Sequence, residues 1–348
     1  MKCKGCGIKL QSSDPKMIGY THKAGSGYCR RCFRLMQYDD LNISMKTGID
    51  PDEVLRQVEE MDALILWVVD LFDFEASMIP GLNRHLVNKD IVMVGTKRDL
   101  LPVTLSNTKL SQFILSRMKE MGLYVNGIVV TGKGIKDSVE EVWKTIEHYA
   151  NNRPIVVLGK ANVGKSTLLN ALMQGNALTQ SRYPGTTLDF NKMEYKGYTL
   201  YDTPGLEGNH TMLMMVPEKD LKVVLPQKAV KPMVFQCYQN QTYSIGGLAQ
   251  ISVFTDHDVS VVFYVSNQLK IHRTKAENRD ELWDKHRGEL LVPTIEEGSF
   301  VVQKSSLKGE NTDIVIDGLG WCCISGKVNG VEVRVPKGIN VTYRKAMI

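Results

Sequence analysis

Through the middle of the chain, short apolar runs alternate with stretches whose apolar residues recur at helical spacing. The runs are Ala63 to Val69, Ile91 to Val94, Gly127 to Val130 and Ile155 to Leu158, and the helix-like segments include Leu110 to Met121 and Ser138 to Tyr149. Strands separated by helices predict an α/β domain with a largely parallel sheet, because parallel neighbours need a crossover that a helix supplies. Ahead of it, Pro51-Asp52-Glu53 followed by Val54, Leu55, Val58 and Met61 predicts a helix with Pro in its first turn and acids near its start. Past about His210 the period changes. Runs such as Ser260 to Val265, Ser299 to Val302, Asp313 to Ile316 and Val331 to Val335 are separated by Gly-containing turns, which predicts a separate β-rich domain. Residues 1–38 differ again: short of large apolar side chains and rich in Cys, Gly and Lys, they need a staple to fold. The expected division is a module at 1–38, an α/β domain with a leading helix at 39–210, and a β-rich domain at 211–348.

Composition narrows the class. With 348 residues, 43% hydrophobic and 23% charged, the chain has the make-up of two or three folded domains rather than of a disordered protein. No apolar run approaches the roughly 20 residues that span a bilayer, and the first residues carry no apolar signal stretch. The expected compartment is therefore the cytoplasm, with no membrane partner. Seven cysteines in a reducing compartment point to metal binding before disulfides.

The net charge of +5 is unevenly spread. Eight basic residues face one acid up to Tyr38, and from His210 onward 17 basic residues face 15 acids, so the middle is net acidic. Basic ends favour a polyanionic partner such as RNA. The first module and the acid-free stretch holding Arg334, Lys337, Arg344 and Lys345 are the candidate phosphate contacts, with a merely solvated charged face as the alternative.

Cys3-x-x-Cys6 and Cys29-x-x-Cys32 are two pairs separated by 22 residues. A two-residue gap lets both sulfurs of a pair converge on one tetrahedral ion, and two such pairs complete a closed four-thiolate zinc site. Buried or redox-active thiols are the alternative, and His22 is a competing ligand. Four thiolates on one zinc ion add −2 to the local charge and leave this end basic.

Gly159-Lys160-Ala161-Asn162-Val163-Gly164-Lys165-Ser166 matches GxxxxGK[ST], directly after the apolar strand and before an apolar-patterned segment that includes Leu168. In that context the amides of Gly159, Asn162, Val163, Gly164, Lys165, Ser166 and Thr167 wrap phosphates at a helix start. Lys165 then reaches the β- and γ-phosphates, and Ser166 ligates magnesium. Downstream, Asp202-Thr203-Pro204-Gly205 offers an acid near magnesium and a Gly205 amide for the γ-phosphate. Between them, Pro184-Gly185-Thr186-Thr187 can present a threonine hydroxyl to magnesium, with Thr187 preferred over Thr186.

A guanine-reading motif, Asn-Lys-x-Asp at a strand end, ordinarily follows these elements, yet nothing after Gly205 fits. Upstream, Ile91 to Val94 runs into Gly95-Thr96-Lys97-Arg98-Asp99, and Gly127 to Val130 runs into Thr131-Gly132-Lys133-Gly134. The first resembles the specificity motif with Thr for Asn, and the second resembles a loop whose backbone contacts guanine O6. Asp99 would accept from guanine N1–H and N2–H₂, which adenine cannot supply, and the Lys97 stem would cover the base. Replacing Asn by Thr96 is expected to remove a base contact and a tether to the phosphate loop. The motif order is thus four, five, one, two, three.

At this point the sequence resembles the bacterial YqeH-type GTPases over essentially its whole length. The residues that carry the resemblance are the four cysteines, the permuted motifs, the run Val68-Val69-Asp70-Leu71-Phe72-Asp73-Phe74-Glu75-Ala76-Ser77, and the late Asp317-Gly318-Leu319-Gly320-Trp321. The resemblance implies a P-loop GTPase domain with circularly permuted motif order, flanked by an N-terminal four-cysteine zinc module and a β-rich C-terminal domain. It also implies a role in assembling the small ribosomal subunit, with its rRNA as partner.

Hydrolysis is expected to be slow, because Leu206 stands where many GTPases carry the Gln that orients water. Asn162 matches a position where related enzymes bind potassium, with a plain loop hydrogen bond as the alternative. The expected catalytic set is Lys165, Thr187, Asn162 and Gly205, with GTP or GDP, magnesium, zinc and potassium as ligands. A GTP-dependent scaffold with negligible hydrolysis is the competing function.

Overall fold

Every residue of Leu64–Asp70 (β1) is buried, as a run with no polar alternation requires of a central strand. In the computed structural model the described residues are 10–13, 20–21, 49–135, 137–173, 181–182, 190–206, 210–295, 298–307 and 311–348. The chain forms two compact units, 1–47 and 48–348. In the first, Gln11 and Tyr20 form a bridge and the Thr21 N–H donates to the Gln11 carbonyl at 2.9 Å. The zinc expectation for Cys3, Cys6, Cys29, Cys32 and His22 lies outside the described residues, and so does the loop holding Thr186 and Thr187.

The second unit opens with α1 (Pro51–Glu60), where the Asp50 side chain accepts from the Asp52 N–H and Val54, Leu55 and Val58 are buried on one face. Strands β2 (Ile91–Thr96), β3 (Gly127–Val130) and β4 (Ile155–Leu158) follow the predicted apolar runs. Between them stand α2 (Leu82–His85), α3 (Asn107–Glu120) and α4 (Ser138–Ala150). Next come α5 (Lys165–Leu172), β5 (Ser181–Arg182), β6 (Asn191–Tyr195) and β7 (Tyr198–Asp202). The sheet order is β3-β2-β1-β4-β7-β6-β5. The first five strands are parallel, and β6 and β5 are added antiparallel.

Alternate residues of β1 face opposite layers. Leu64, Leu66 and Val68 pack with Trp143 and Ile146 of α4 and Leu168 and Leu169 of α5. Ile65, Trp67 and Val69 pack with α1 and α3. Register pairs Asp70 with Thr96 and Trp67 with Leu158, so the carboxyl ends of β1, β2 and β4 lie at one edge, where α/β sheets bind ligands.

After a short helix α6 (Leu221–Val224) come β8 (Met233–Cys237), β9 (Gln241–Ile245), β10 (Ala249–Phe254), β11 (Val259–Val265) and β12 (Ile271–Lys275). Helix α7 (Arg279–His286) leads to β13 (Phe300–Ser305), β14 (Asn311–Ile316), β15 (Gly320–Ser325), β16 (Gly330–Pro336) and β17 (Val341–Lys345). They form two antiparallel five-stranded sheets, β12-β9-β10-β16-β13 and β17-β14-β15-β11-β8. Phe235, Tyr243 and Phe263 join the two through ring centroids 5.2 to 5.9 Å apart.

One hydrophobic cluster runs from α1, β1 and α3 into these sheets, taking in Tyr264, Val315, Trp321, Cys323 and Met347. Within this junction Glu75 is paired with Arg117 at 2.9 Å and with Arg344 at 3.1 Å, and Arg344 also reaches Asp313 at 3.3 Å. The Arg344 side chain is 1% exposed. It therefore makes no phosphate contact, which corrects the expectation for that residue: its charge compensates two buried carboxylates. Arg334 is likewise engaged, by Asp280 and by Gln250 at 2.9 Å, while Lys337 and Lys345 are exposed.

Asp73 accepts a hydrogen bond from the Gly318 N–H at 3.0 Å across the same junction. Burial, with the Asp317 and Asp70 carboxylates nearby, pushes the Asp73 carboxyl up to about 8. Burial pushes Asp317 up to about 6. Both exceed the unfolded value of 3.8, so between these limits the folded unit binds more protons than the unfolded chain. Their stabilisation is complete below the unfolded value and is lost as pH rises through about 6 for Asp317 and about 8 for Asp73. Thermal melts should show wild-type stability falling relative to Asp73→Asn through the pH window that ends near 8. Parallel curves for the two proteins would contradict this.

Candidate functional site

The phosphate loop leaves β4 at Gly159 and enters α5 at Lys165. Asn162 (φ 64°) and Gly164 (φ 93°) are both left-handed, which bends the loop into a cradle. At Gly159 an added Cβ would lie 2.9 Å from the Val68 carbonyl, so only glycine lets the loop pass so close to β1. Lys165 is buried and donates to Asp202 Oδ1 at 2.6 Å and to the Thr203 carbonyl. Ser166 and Thr167 are exposed in the first turn of α5. Of the three magnesium candidates, Ser166 and Asp202 fall among the described residues, and among the described residues no cluster of three or more His, Cys, Asp or Glu is arranged for a metal.

The strand-end segment after β7 seals the loop. The Leu206 N–H donates to the Gly159 carbonyl at 3.2 Å and its carbonyl accepts from the Ala161 N–H at 3.0 Å, while Ile49 bridges its other side. Leu206 is fully buried, so its apolar side chain is part of the core and orients no water. Gly205 sits against Ala161, where a Cβ would lie 3.3 Å from Cα.

Base-reading candidates come from β2 and β3. The Thr131 N–H donates to the Gly95 carbonyl at 2.6 Å, and the Arg98 N–H donates to the Thr131 carbonyl at 3.1 Å, which clasps the two loops together. Asp99 Oδ1 accepts from the Lys133 N–H at 2.9 Å, and a Cβ at Gly132 would lie 2.7 Å from that oxygen. Gly132 is thus glycine so that Asp99 can lie across it.

Thr96 corrects an expectation. Its Oγ1 donates to the Val163 carbonyl and lies 3.2 Å from the Val69 carbonyl, so the tether between base loop and phosphate loop is retained by a hydroxyl. Lys97 adds a second: its Nζ donates to the Asn162 carbonyl and to Asp70 Oδ2, each at 2.7 Å. Asp70, Asp73 and Ser77 were marked in the sequence only by resemblance, with no role. The side-chain pattern alone does not distinguish them from an ordinary acidic loop.

Lys165, Ser166, Asp202, Thr96, Lys97 and Asp99 therefore converge on one sheet edge, whereas Thr187 lies outside the described residues. Residues 154–253 match a family model described as a 50S ribosome-binding GTPase, and residues 258–347 match one described as YqeH-like, C-terminal. The chain is 37% identical to the YqeH protein of Bacillus subtilis (strain 168) over 99% of both. It belongs to the YqeH-type GTPases. Among other relatives of this YqeH-type chain, the Arabidopsis thaliana chloroplast GTP-binding protein Brassinazole insensitive pale green 2 is 27% identical over 92% of this chain and 56% of its own length. The mouse nitric oxide-associated protein 1 is 21% identical over 99% of this chain and 75% of its own. The GTPase match begins at β4, so the loops at 95–99 and 131–133 precede it in the YqeH-type chain. As a GTPase of this kind it takes GTP and GDP, typically with magnesium.

Replacing Thr96 by Val keeps the volume and deletes the hydroxyl tether, leaving the Val163 carbonyl unsatisfied. GDP affinity, measured by fluorescent-nucleotide titration, should fall roughly five- to tenfold, the worth of one buried hydrogen bond. An unchanged Kd would remove Thr96 from the site.

Proposed function

We propose that the protein is a GTP-hydrolysing assembly factor of the small ribosomal subunit, built from a circularly permuted GTPase domain at 39–210, a zinc module at 1–38 and an RNA-binding β-rich domain at 211–348. The observation that carries the GTPase part is the pair of bonds from Thr96 and Lys97 to the phosphate loop. They join base-reading loops that come early in the chain to a phosphate loop that comes later. Strand order supports permutation: β2 and β3, which end in the base loops, lie on one side of the phosphate-loop strand with β1 between, and β7 with Asp202 pairs with it on the other. The sheet is thereby complete although the chain enters it at a different strand.

In this reading Lys165 leaves Asp202 for the β- and γ-phosphates, the Gly205 amide meets the γ-phosphate, and Ser166, Asp202 and Thr187 hold magnesium. Asp99 reads guanine, with the Thr131-Gly132-Lys133 backbone beside it. Leu206 supplies no polar group, so the intrinsic rate is slow. Asn162 Nδ2 is buried without a hydrogen-bond partner, a donor free for an acceptor such as a phosphate oxygen. The side-chain oxygen of the same residue is the atom we assign to the potassium-stimulated step. Cys3, Cys6, Cys29 and Cys32 hold zinc, and the exposed lysines together with the basic first module contact rRNA in the cytoplasm.

A second reading has an observation of its own: the matched GTPase model is described by binding to the 50S particle. Hydrolysis measured alone, with small subunits and with large subunits separates the two. Stimulation by small subunits only is the expected result. Stimulation by large subunits only selects the second reading, and none by either contradicts both. Potassium in place of sodium at equal ionic strength should raise the rate at least about tenfold, the scale of charge stabilisation at the transferred phosphoryl group. Equal rates would remove the potassium assignment.

A further inference from the structure

The loop after β1 belongs to neither the phosphate site nor the base loops, yet it touches both the base-covering lysine and the β-rich region. Asp70 ends β1 directly opposite Thr96, one residue from Lys97. Its Oδ2 receives the Lys97 ammonium at 2.7 Å, and its Oδ1 receives the Phe72 N–H at 2.9 Å and the Asp73 N–H at 3.3 Å. The Asp70 N–H in turn donates to Ser77 Oγ, which donates to the Asp73 carbonyl. The carboxylate therefore holds a closed turn and a lysine at once. Lys97 has φ 58°, a left-handed conformation that a non-glycine residue keeps only when its surroundings hold it.

The far side of the same turn is clamped by the β-rich region. Asp73 Oδ1 accepts from the Gly318 N–H, and the Phe72 ring lies 5.6 Å from Trp321. Gly318 (φ 79°) has no room for a Cβ, which would fall 2.3 Å from Thr211 Oγ1 and 2.9 Å from the Met212 N–H. Gly320 (φ 121°) likewise presses on the Tyr264 carbonyl and on Phe72. The turn at 317–321 thus has a single position, and it fixes the loop at 70–77.

We propose that Asp70 is a positioning residue for guanine-nucleotide binding, and that its loop mechanically ties the base end of the site to the turn Asp317–Trp321. This rests on the reading of Lys97 as the lysine that covers the base. A ligand that shifts the β-rich region alters nucleotide retention through Lys97, in addition to any change it makes near Gly205. Because Asp70 touches no reacting atom, it acts on binding and not on the chemical step.

The test uses the full-length protein. Asp70→Ala should raise the KM for GTP and the Kd for GDP about tenfold, the range of a charge-assisted hydrogen bond, while kcat at saturation stays within about twofold. Asp70→Asn, which keeps an acceptor, should recover part of the loss. Gly318→Ala should speed GDP release severalfold in the wild-type background and add little in Asp70→Ala, because the tie is already cut. Lys97→Ala checks the underlying reading. If it weakens GDP binding while both Asp70 variants bind normally, the positioning role is overturned and the reading stands. If Lys97→Ala has no effect, the reading itself fails. Fully additive effects of Gly318→Ala and Asp70→Ala on release would overturn the mechanical tie. Trp321 fluorescence and melting curves identify a variant that has lost its fold, and for such a variant Asp70→Asn carries the test.

Discussion

The ammonium of Lys97 lies where three chain segments meet. It comes from the loop after β2, and its two partners are a carboxylate at the end of β1 and a backbone carbonyl in the phosphate loop. Each partner takes up a donor that would otherwise lose its water on folding, so the three segments are organised together or not at all. Thr96 reinforces the link one residue earlier by reaching Val163. The loop after β2 and the loop after β4 are thereby made one structural unit although 65 residues separate Lys97 from Asn162.

A second set of buried charges attaches the β-rich region to that unit. Arg344 stands between Glu75 and Asp313 with almost no exposure, and breaking it would leave carboxylates uncompensated in a low-dielectric junction. Near the phosphate loop the balance is acidic. Burial pulls the Lys160 ammonium below its ordinary value, the Asp317 and Asp73 carboxylates oppose that, and both carboxyls are themselves raised. The apolar cluster that passes from Val69 and Phe113 to Trp321 and Met347 makes this junction a shared core, so the two regions resist moving as independent bodies.

Much of the parallel sheet was legible because its strands are continuous apolar runs, and the phosphate loop because glycine, lysine and serine occupy fixed offsets. Strands β9 and β10 were not, since their interior carries Thr242, Ser244, Gln250 and Ser252. These residues satisfy one another, as Thr242 with Ser252 at 2.7 Å and Gln250 with Ser244 at 3.0 Å, and so they look like surface in sequence. Arg344 read as a phosphate contact for a related reason. Its partner Glu75 is 269 residues away, a distance no local pattern reports. Thr96 looked like a lost tether because the expected group was a carboxamide, whereas the geometry asks only for a donor at that point.

The proposed function depends on Asp99, held against Gly132 and Lys133 by loops early in the chain, reading guanine bound to a phosphate loop that comes later. Asp99→Asn replaces a carboxylate that accepts from guanine N1–H and N2–H₂ with an amide that can donate to a 2-oxo base. Competition titrations with GDP and xanthosine diphosphate test this directly. The variant should lose GDP affinity by at least about a hundredfold, the discrimination typical of paired hydrogen bonds to a base, and gain affinity for xanthosine diphosphate. Retention of wild-type GDP affinity by the variant would contradict it.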